Sequence, residues 1–252
     1  MSTYQLALLT TALLGVFILI GVLISYFFKK SEKIVLYSIG LAFGVIVMLI
    51  FTDLLPEIIE CIPISRIYIP IISIILGFLM LRILDNFVPD HENKEKKDNL
   101  IHIGVMSSIA LGLHNIIEGM AIYSSMLSST KLGLALTLGV GFHNIPLGIV
   151  IGGAFYQSNN DKYKSILNIL LVSLSTFVGG LLMFMFNINE LSPTIEGILL
   201  SITLGMLLFI VLDELLPKVK KNFKNKAILS GITTGIIILL ISMIWWYRCY
   251  II

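Results

Sequence analysis

Charge is what this sequence has least of. Only 13% of its 252 residues are charged, against 57% that are hydrophobic. A soluble domain of this length needs far more charge to cover its surface. The net charge of +2 is too small to suggest a nucleic-acid partner. Two cysteines, Cys61 and Cys249, make no disulfide framework. There is no CxxC pair and no Cys/His cluster, so no thiolate metal site is expected. No Walker motif is present, which argues against an ATP-driven pump. Met1 to Gln5 lack the positive charge of a secretory leader, and the apolar block that follows is too long for one. Long polar stretches are also missing. The longest runs from Asp90 to Asn99, so residues 1–252 read as a single membrane domain.

What the sequence does have is apolar blocks long enough to span a bilayer. Eight emerge: Tyr4–Phe28, Ile34–Leu55, Ile67–Val88, Leu100–Leu127, Leu132–Tyr156, Ser165–Ile188, Ile195–Leu216 and Ala227–Tyr247. As helices, each can cross ~30 Å of hydrocarbon. The expected fold is therefore all-α, a polytopic bundle of eight transmembrane helices.

The basic residues give that bundle an orientation. Thirteen of the seventeen fall in one alternating set of connections, from Lys29 and Lys30 through Lys94, Lys162 and the run Lys218 to Lys226. The opposite side holds Arg66, Lys131 and Arg248, and Arg82 lies within the third block. The positive-inside bias assigns the rich side to the cytoplasm and both termini to the outside. The plasma membrane is the expected location.

Two internal likenesses stand out. The fourth block contains His114-Asn115-Ile116-Ile117-Glu118-Gly119, and the fifth contains His143-Asn144-Ile145-Pro146-Leu147-Gly148. The second block ends in Asp53-Leu54-Leu55-Pro56-Glu57, and the seventh in Glu214-Leu215-Leu216-Pro217-Lys218. Similar segments in helices of opposite direction predict an inverted repeat, with spans 1–3 set against 6–8 around a central 4/5 pair. Transporters use this plan to hold a site near the midplane.

The midplane residues carry metal chemistry. His114 and Glu118 are four apart and share a helix face, and Ser107 and Ser125 extend the stripe. His143 and Asn144 lie at similar depth in the next helix. A carboxylate in hydrocarbon costs several kcal/mol unless paired or solvated, so such groups are functional by default. Imidazole with carboxylate and amide oxygen suits Zn²⁺, Fe²⁺ or Mn²⁺ better than Ca²⁺ or Cu⁺. Pro146 removes one helical donor and frees the carbonyl of Phe142. The glycines of the fifth block, Gly148 and Gly152 among them, allow close helix approach.

At these residues the sequence resembles the ZIP (Zrt/Irt-like) metal-ion transporters of bacterial type, over essentially its whole length. The resemblance implies eight spans, a metal path between spans two, four, five and seven, an elevator-like motion and uptake toward the cytoplasm. It assigns His114, Asn115, Glu118, His143 and Asn144 as metal ligands. It places a cytoplasmic exit at Asp85, Asp90, His91, Asp213 and Glu214. Asp53 and Glu57 fall on the side of an outer entrance. The chain departs from the family at Leu147 and Thr176, where carboxylates of a two-metal centre are usual. With Glu118 as the only midplane carboxylate expected, one metal ion is expected there. The metal, whether Zn²⁺, Fe²⁺, Mn²⁺ or Cd²⁺, is substrate rather than cofactor, and no cofactor is expected.

Two other readings remain open on sequence alone. One is an intramembrane metal-dependent hydrolase, although HNIIE is not HExxH. The other is a non-transporting metal sensor, which the loss of a carboxylate at Leu147 would favour. The expected partners are the divalent ion and the lipid bilayer. A homodimer is compatible with the sequence.

Overall fold

A computed structural model describes residues 2–27, 32–86, 98–157 and 162–251. Among these residues the chain is entirely helical, apart from its short connections. Eight helices cover the eight apolar blocks. We label them α1 (Thr3–Tyr26), α2 (Glu32–Leu49 and its continuation), α3 (Tyr68–Asp85), α4 (Asp98–Ser128), α5 (Thr130–Gln157), α6 (Lys162–Met185), α7 (Pro193–Phe209 and its continuation) and α8 (Lys226–Ile251). Seven are apolar enough to cross a membrane over their described length, and α8 adds a further apolar stretch, Lys226–Ile241. The all-α polytopic architecture is as the sequence predicts.

Two helices run further than the sequence suggests. The second and seventh blocks seemed to end at Leu-Leu-Pro. Instead α2 passes through a π-helical turn, Ile50–Leu54, and continues as Leu55–Cys61. Likewise α7 passes through a π turn, Ile210–Leu215, into Leu216–Lys221. The wide turn resets the hydrogen-bond register, so Pro56 and Pro217 each fall in the first turn of the next α segment. Proline is tolerated there because the amide it lacks would have had no intrahelical partner. Single-turn π bulges often mark functional positions. Each of these two carries an acid of the duplicated motif, Asp53 or Glu214.

The helices pair as an inverted repeat requires. Exchanging α1 with α6, α2 with α7, α3 with α8 and α4 with α5 maps the α1–α5 interface onto α6–α4. It also maps α2–α8 onto α7–α3. These four are extensive interfaces of the bundle. Each is closed by a reciprocal pair of glycines. Gly21 lies against the Ile145 carbonyl and Gly148 against that of Ile18. Gly119 meets the Thr176 carbonyl and Gly179 that of Ile116. Gly40 and Gly231 join α2 to α8 in the same way, and Gly77 and Gly205 join α3 to α7. Small residues let backbones touch, which is how helices gain packing energy in lipid. The matching Gly119 and Gly148 of the two His-Asn motifs thus have a packing role, as the sequence suggested for most glycines of α5.

The result is two four-helix groups. In one, α1, α4, α5 and α6 pack together. In the other, α2 pairs with α8, α3 pairs with α7, and the end of α2 packs on α7. The groups meet where α5 touches α2 and α8, and where α4 touches α7. The main apolar core, including Leu49, Leu111, Leu147, Leu204 and Ile210, spans that boundary.

Candidate metal centre

Most buried hydroxyls in this bundle are satisfied within their own helix. Ser25 donates to the Val22 carbonyl at 2.6 Å, Ser108 to Gly104 at 2.7 Å, Ser173 to Ile169 at 2.8 Å and Ser201 to Gly197 at 2.6 Å. Such back-bonding is the ordinary solution for Ser and Thr in a membrane helix. The exceptions gather on α4, α5 and α6. The Ser107 hydroxyl, the Thr176 hydroxyl and both amide atoms of Asn144 are buried with no hydrogen-bond partner among the described residues. Polar atoms buried in this way cost free energy unless something else engages them.

On α4, the helix that carries Ser107, lies a cluster to which α2 also contributes. His114 and Glu118 share the inner face of α4, with His114 Nε2 3.0 Å from Glu118 Oε1. Asp53, in the π turn of α2, brings Oδ2 to 3.8 Å from the same ring nitrogen. Ligand atoms of all three lie within 4.8 Å of one another. His114 is fully buried, Glu118 nearly so, and Asp53 is 29% exposed, which makes Asp53 the most open member. Beside them, Asn115 donates its Nδ2 to the Val172 carbonyl of α6 at 3.3 Å. That bond commits the donor end of the amide. Its Oδ1 is buried without a partner among the described residues.

The structure brings His114 and Glu118 of the expected set together and sets Asp53 beside them. His114, Glu118, Asn115 and Asn144 are all buried in the bundle. His143 lies on α5, but its side chain is outside the described residues. Asp53, expected on the side of an outer entrance, stands beside this pair. It lies within the π turn through which α2 stays helical beyond Pro56. Glu118 is consequently not the only carboxylate at the centre. Glu57, one turn beyond Asp53, lies in electrostatic range of Asp53, Glu118, Glu60 and Glu196. Glu196, in the first turn of α7, was not singled out in the sequence. At the two positions where the chain departs from the family, Leu147 is packed in the apolar core and Thr176 is fully buried.

The expected exit residues divide. Asp213 is 3.1 Å from Arg82 of α3 in an open ion pair. Glu214 is 3.0 Å from Lys218. Asp85 ends α3 one turn from Arg82. Asp90 and His91 lie outside the described residues. Nothing in a linear pattern pairs Arg82 with a residue of the seventh span, whereas the four-residue spacing of Glu214 and Lys218 is a signal the sequence carries.

Comparison with known proteins places the chain among metal-ion transporters. A family model described as ZIP zinc transporter matches residues 89–243. The chain is 28% identical to a zinc transporter ZupT of Clostridium perfringens, over 97% of each chain. It is 27% identical to a zinc transporter ZupT of Streptococcus mutans, over 94% of this chain and 96% of that one. It is also 27% identical to a zinc transporter ZupT of Akkermansia muciniphila, over 94% and 96%.

Proposed function

The chain belongs to the ZIP zinc transporter family, and we propose that it carries a divalent transition-metal ion, zinc first, toward the cytoplasm through Asp53, His114 and Glu118. One observation carries this reading: ligand atoms from two helices converge within 4.8 Å inside an apolar bundle. Iron and manganese suit the same nitrogen and oxygen donors, so the choice among these ions rests on the relatives. Their printed names specify zinc.

Each group has a task in that passage. A divalent ion entering hydrocarbon loses its water, at a cost far beyond any single contact. Asp53 and Glu118 together supply two negative charges, so an ion held between them is neutralised on site. His114 Nε2 adds the nitrogen donor that favours zinc over calcium. Asn115 Oδ1 and the Asn144 amide offer neutral oxygens to complete the shell, joined by His143 of α5. Acids at Glu57 and Glu196 beyond Asp53 raise the local cation concentration at its open side. By the distribution of lysines, that side faces outward and the Glu214 end faces the cytoplasm. The location that follows is the plasma membrane, with both termini outside.

The deciding experiment is uptake by vesicles containing the purified protein, challenged separately with Zn²⁺, Fe²⁺, Mn²⁺ and Cd²⁺. Zinc should accumulate, and His114→Ala should abolish the accumulation while the protein still folds. A wild-type protein that moves none of the four ions would overturn the reading.

A further inference from the structure

The inverted repeat sets Asp53-Leu54-Leu55-Pro56-Glu57 against Glu214-Leu215-Leu216-Pro217-Lys218. Both segments share a π turn that holds the acid and a proline that opens the next α turn. They differ four residues past the acid. The first repeat has a carboxylate there, Glu57, and the second has an ammonium, Lys218.

That ammonium does not extend into solvent. Lys218 Nζ donates to Glu214 Oε2 at 3.0 Å and to the Glu214 backbone carbonyl at 3.1 Å. The two side chains are 24% and 13% exposed. One ammonium thus clasps both the side chain and the main chain of the acid. A charge this sheltered is costly to strand, so another cation is the natural replacement for Lys218 at this carboxylate. The neighbouring pair of Arg82 with Asp213 is more exposed, at 61% and 41%.

A small void lies on the lysine-rich side of the centre. Ser107 lies two turns from His114 along α4, about 10 Å at the helical rise. It borders a void of about 10 Å³, which Ser38 of α2 and Leu215 of α7 also line. That is room for about one water molecule. Leu215 is the residue next to Glu214. The void and the clasp thus lie on the same, lysine-rich side of the centre.

We propose that Lys218 is a tethered counter-cation of the release path. It holds Glu214 when no metal is present, is displaced by each arriving ion, and displaces that ion in turn. This rests on the reading of the centre as a metal-transport site. Without Lys218, a half-buried carboxylate would hold a doubly charged ion and retain it. An ammonium on a short tether competes at an effective concentration of order millimolar, which no free cation of its kind needs to match. The two repeats thereby differ in function: acid at the capture end, acid already matched by ammonium at the release end.

The test is zinc titration by calorimetry on the full-length protein in detergent, followed by uptake in vesicles. Lys218→Met should bind one more zinc ion per chain than wild type, and the double variant Lys218→Met/Glu214→Gln should lose the extra ion. Initial uptake by Lys218→Met should fall several-fold. Lys218→Arg should keep the wild-type count, because a guanidinium also clasps a carboxylate. Glu118→Gln removes central binding on either background, so failure of the central site would be visible separately. Should Lys218→Met not fold, Lys218→Gln carries the same test. A folded variant of either kind that binds the same number of ions as wild type overturns the proposal.

Discussion

Asp53 Oδ2 on α2 stands 3.8 Å from His114 Nε2 on α4, across the boundary between the two four-helix groups. One helix group supplies the acid, and the other supplies the imidazole and Glu118. A cation bound between them ties the groups together.

That relationship predicts a strong effect at a residue outside the family ligand set read from sequence. Asp53→Asn should weaken zinc binding by at least about tenfold, since even outer partners of a metal site are commonly worth 10- to 100-fold. Glu118→Gln should do at least as much. Zinc titration of the folded variants decides the matter, and wild-type affinity in Asp53→Asn would remove it from the centre.

Charge also sets the metal count. Asp53 and Glu118 balance one divalent ion. A second, a few ångströms away, would meet its like charge in a low-dielectric site, and no further carboxylate joins the cluster among the described residues to offset it. One zinc ion per centre is expected. Leu147 is buried on the adjacent α5 at 1% exposure, so Leu147→Glu should tighten zinc binding and admit a second ion. Two well-occupied ions at the unmodified centre would contradict the charge balance.

The glycine seams should be sensitive to a single methyl. A Cβ at Gly148 would meet the Ile18 carbonyl, and one at Gly119 the Thr176 carbonyl, whereas one at Gly112 meets nothing within 4 Å. Overpacking of this kind typically costs about 1–3 kcal/mol. Thermal unfolding in detergent should therefore separate Gly148→Ala and Gly119→Ala, both lowered, from Gly112→Ala, which should match wild type. Equal midpoints in all three would mean that the seams relax.

Orientation is open to labelling. In a background lacking Cys61 and Cys249, a cysteine at Lys221 should resist an impermeant external reagent in sealed cells. One at Ser129 or Asn189 should react. Reaction at Lys221 from outside would reverse the assignment.

The eight spans could be read directly, because a bilayer demands long apolar blocks and the lysines fall on alternate connections. The His114 and Glu118 pair was equally legible, since helical spacing puts positions four apart on one face. Asp53 was harder. Its distance from the apparent end of the second block depends on whether the helix stops at Leu55-Pro56. A π turn changes that answer without leaving a residue signature of its own. The bond from Asn115 to Val172 and the ion pair from Arg82 to Asp213 were also hidden, because each joins residues far apart in the chain through packing that no local pattern encodes.

The reciprocal glycines have a mechanical consequence. Consider α5 screwing along α1 by one residue, a rise of about 1.5 Å with a rotation of about 100°. Leu147 or Ile149 would then ride into the place of Gly148, where the Ile18 carbonyl leaves no room even for a methyl. The seam works as a keyed joint: it fits in one register and jams in the next. The same holds for α4 on α6, α2 on α8 and α3 on α7. These keys lie within the two groups, so they do not oppose a displacement of one group against the other across Asp53 and His114.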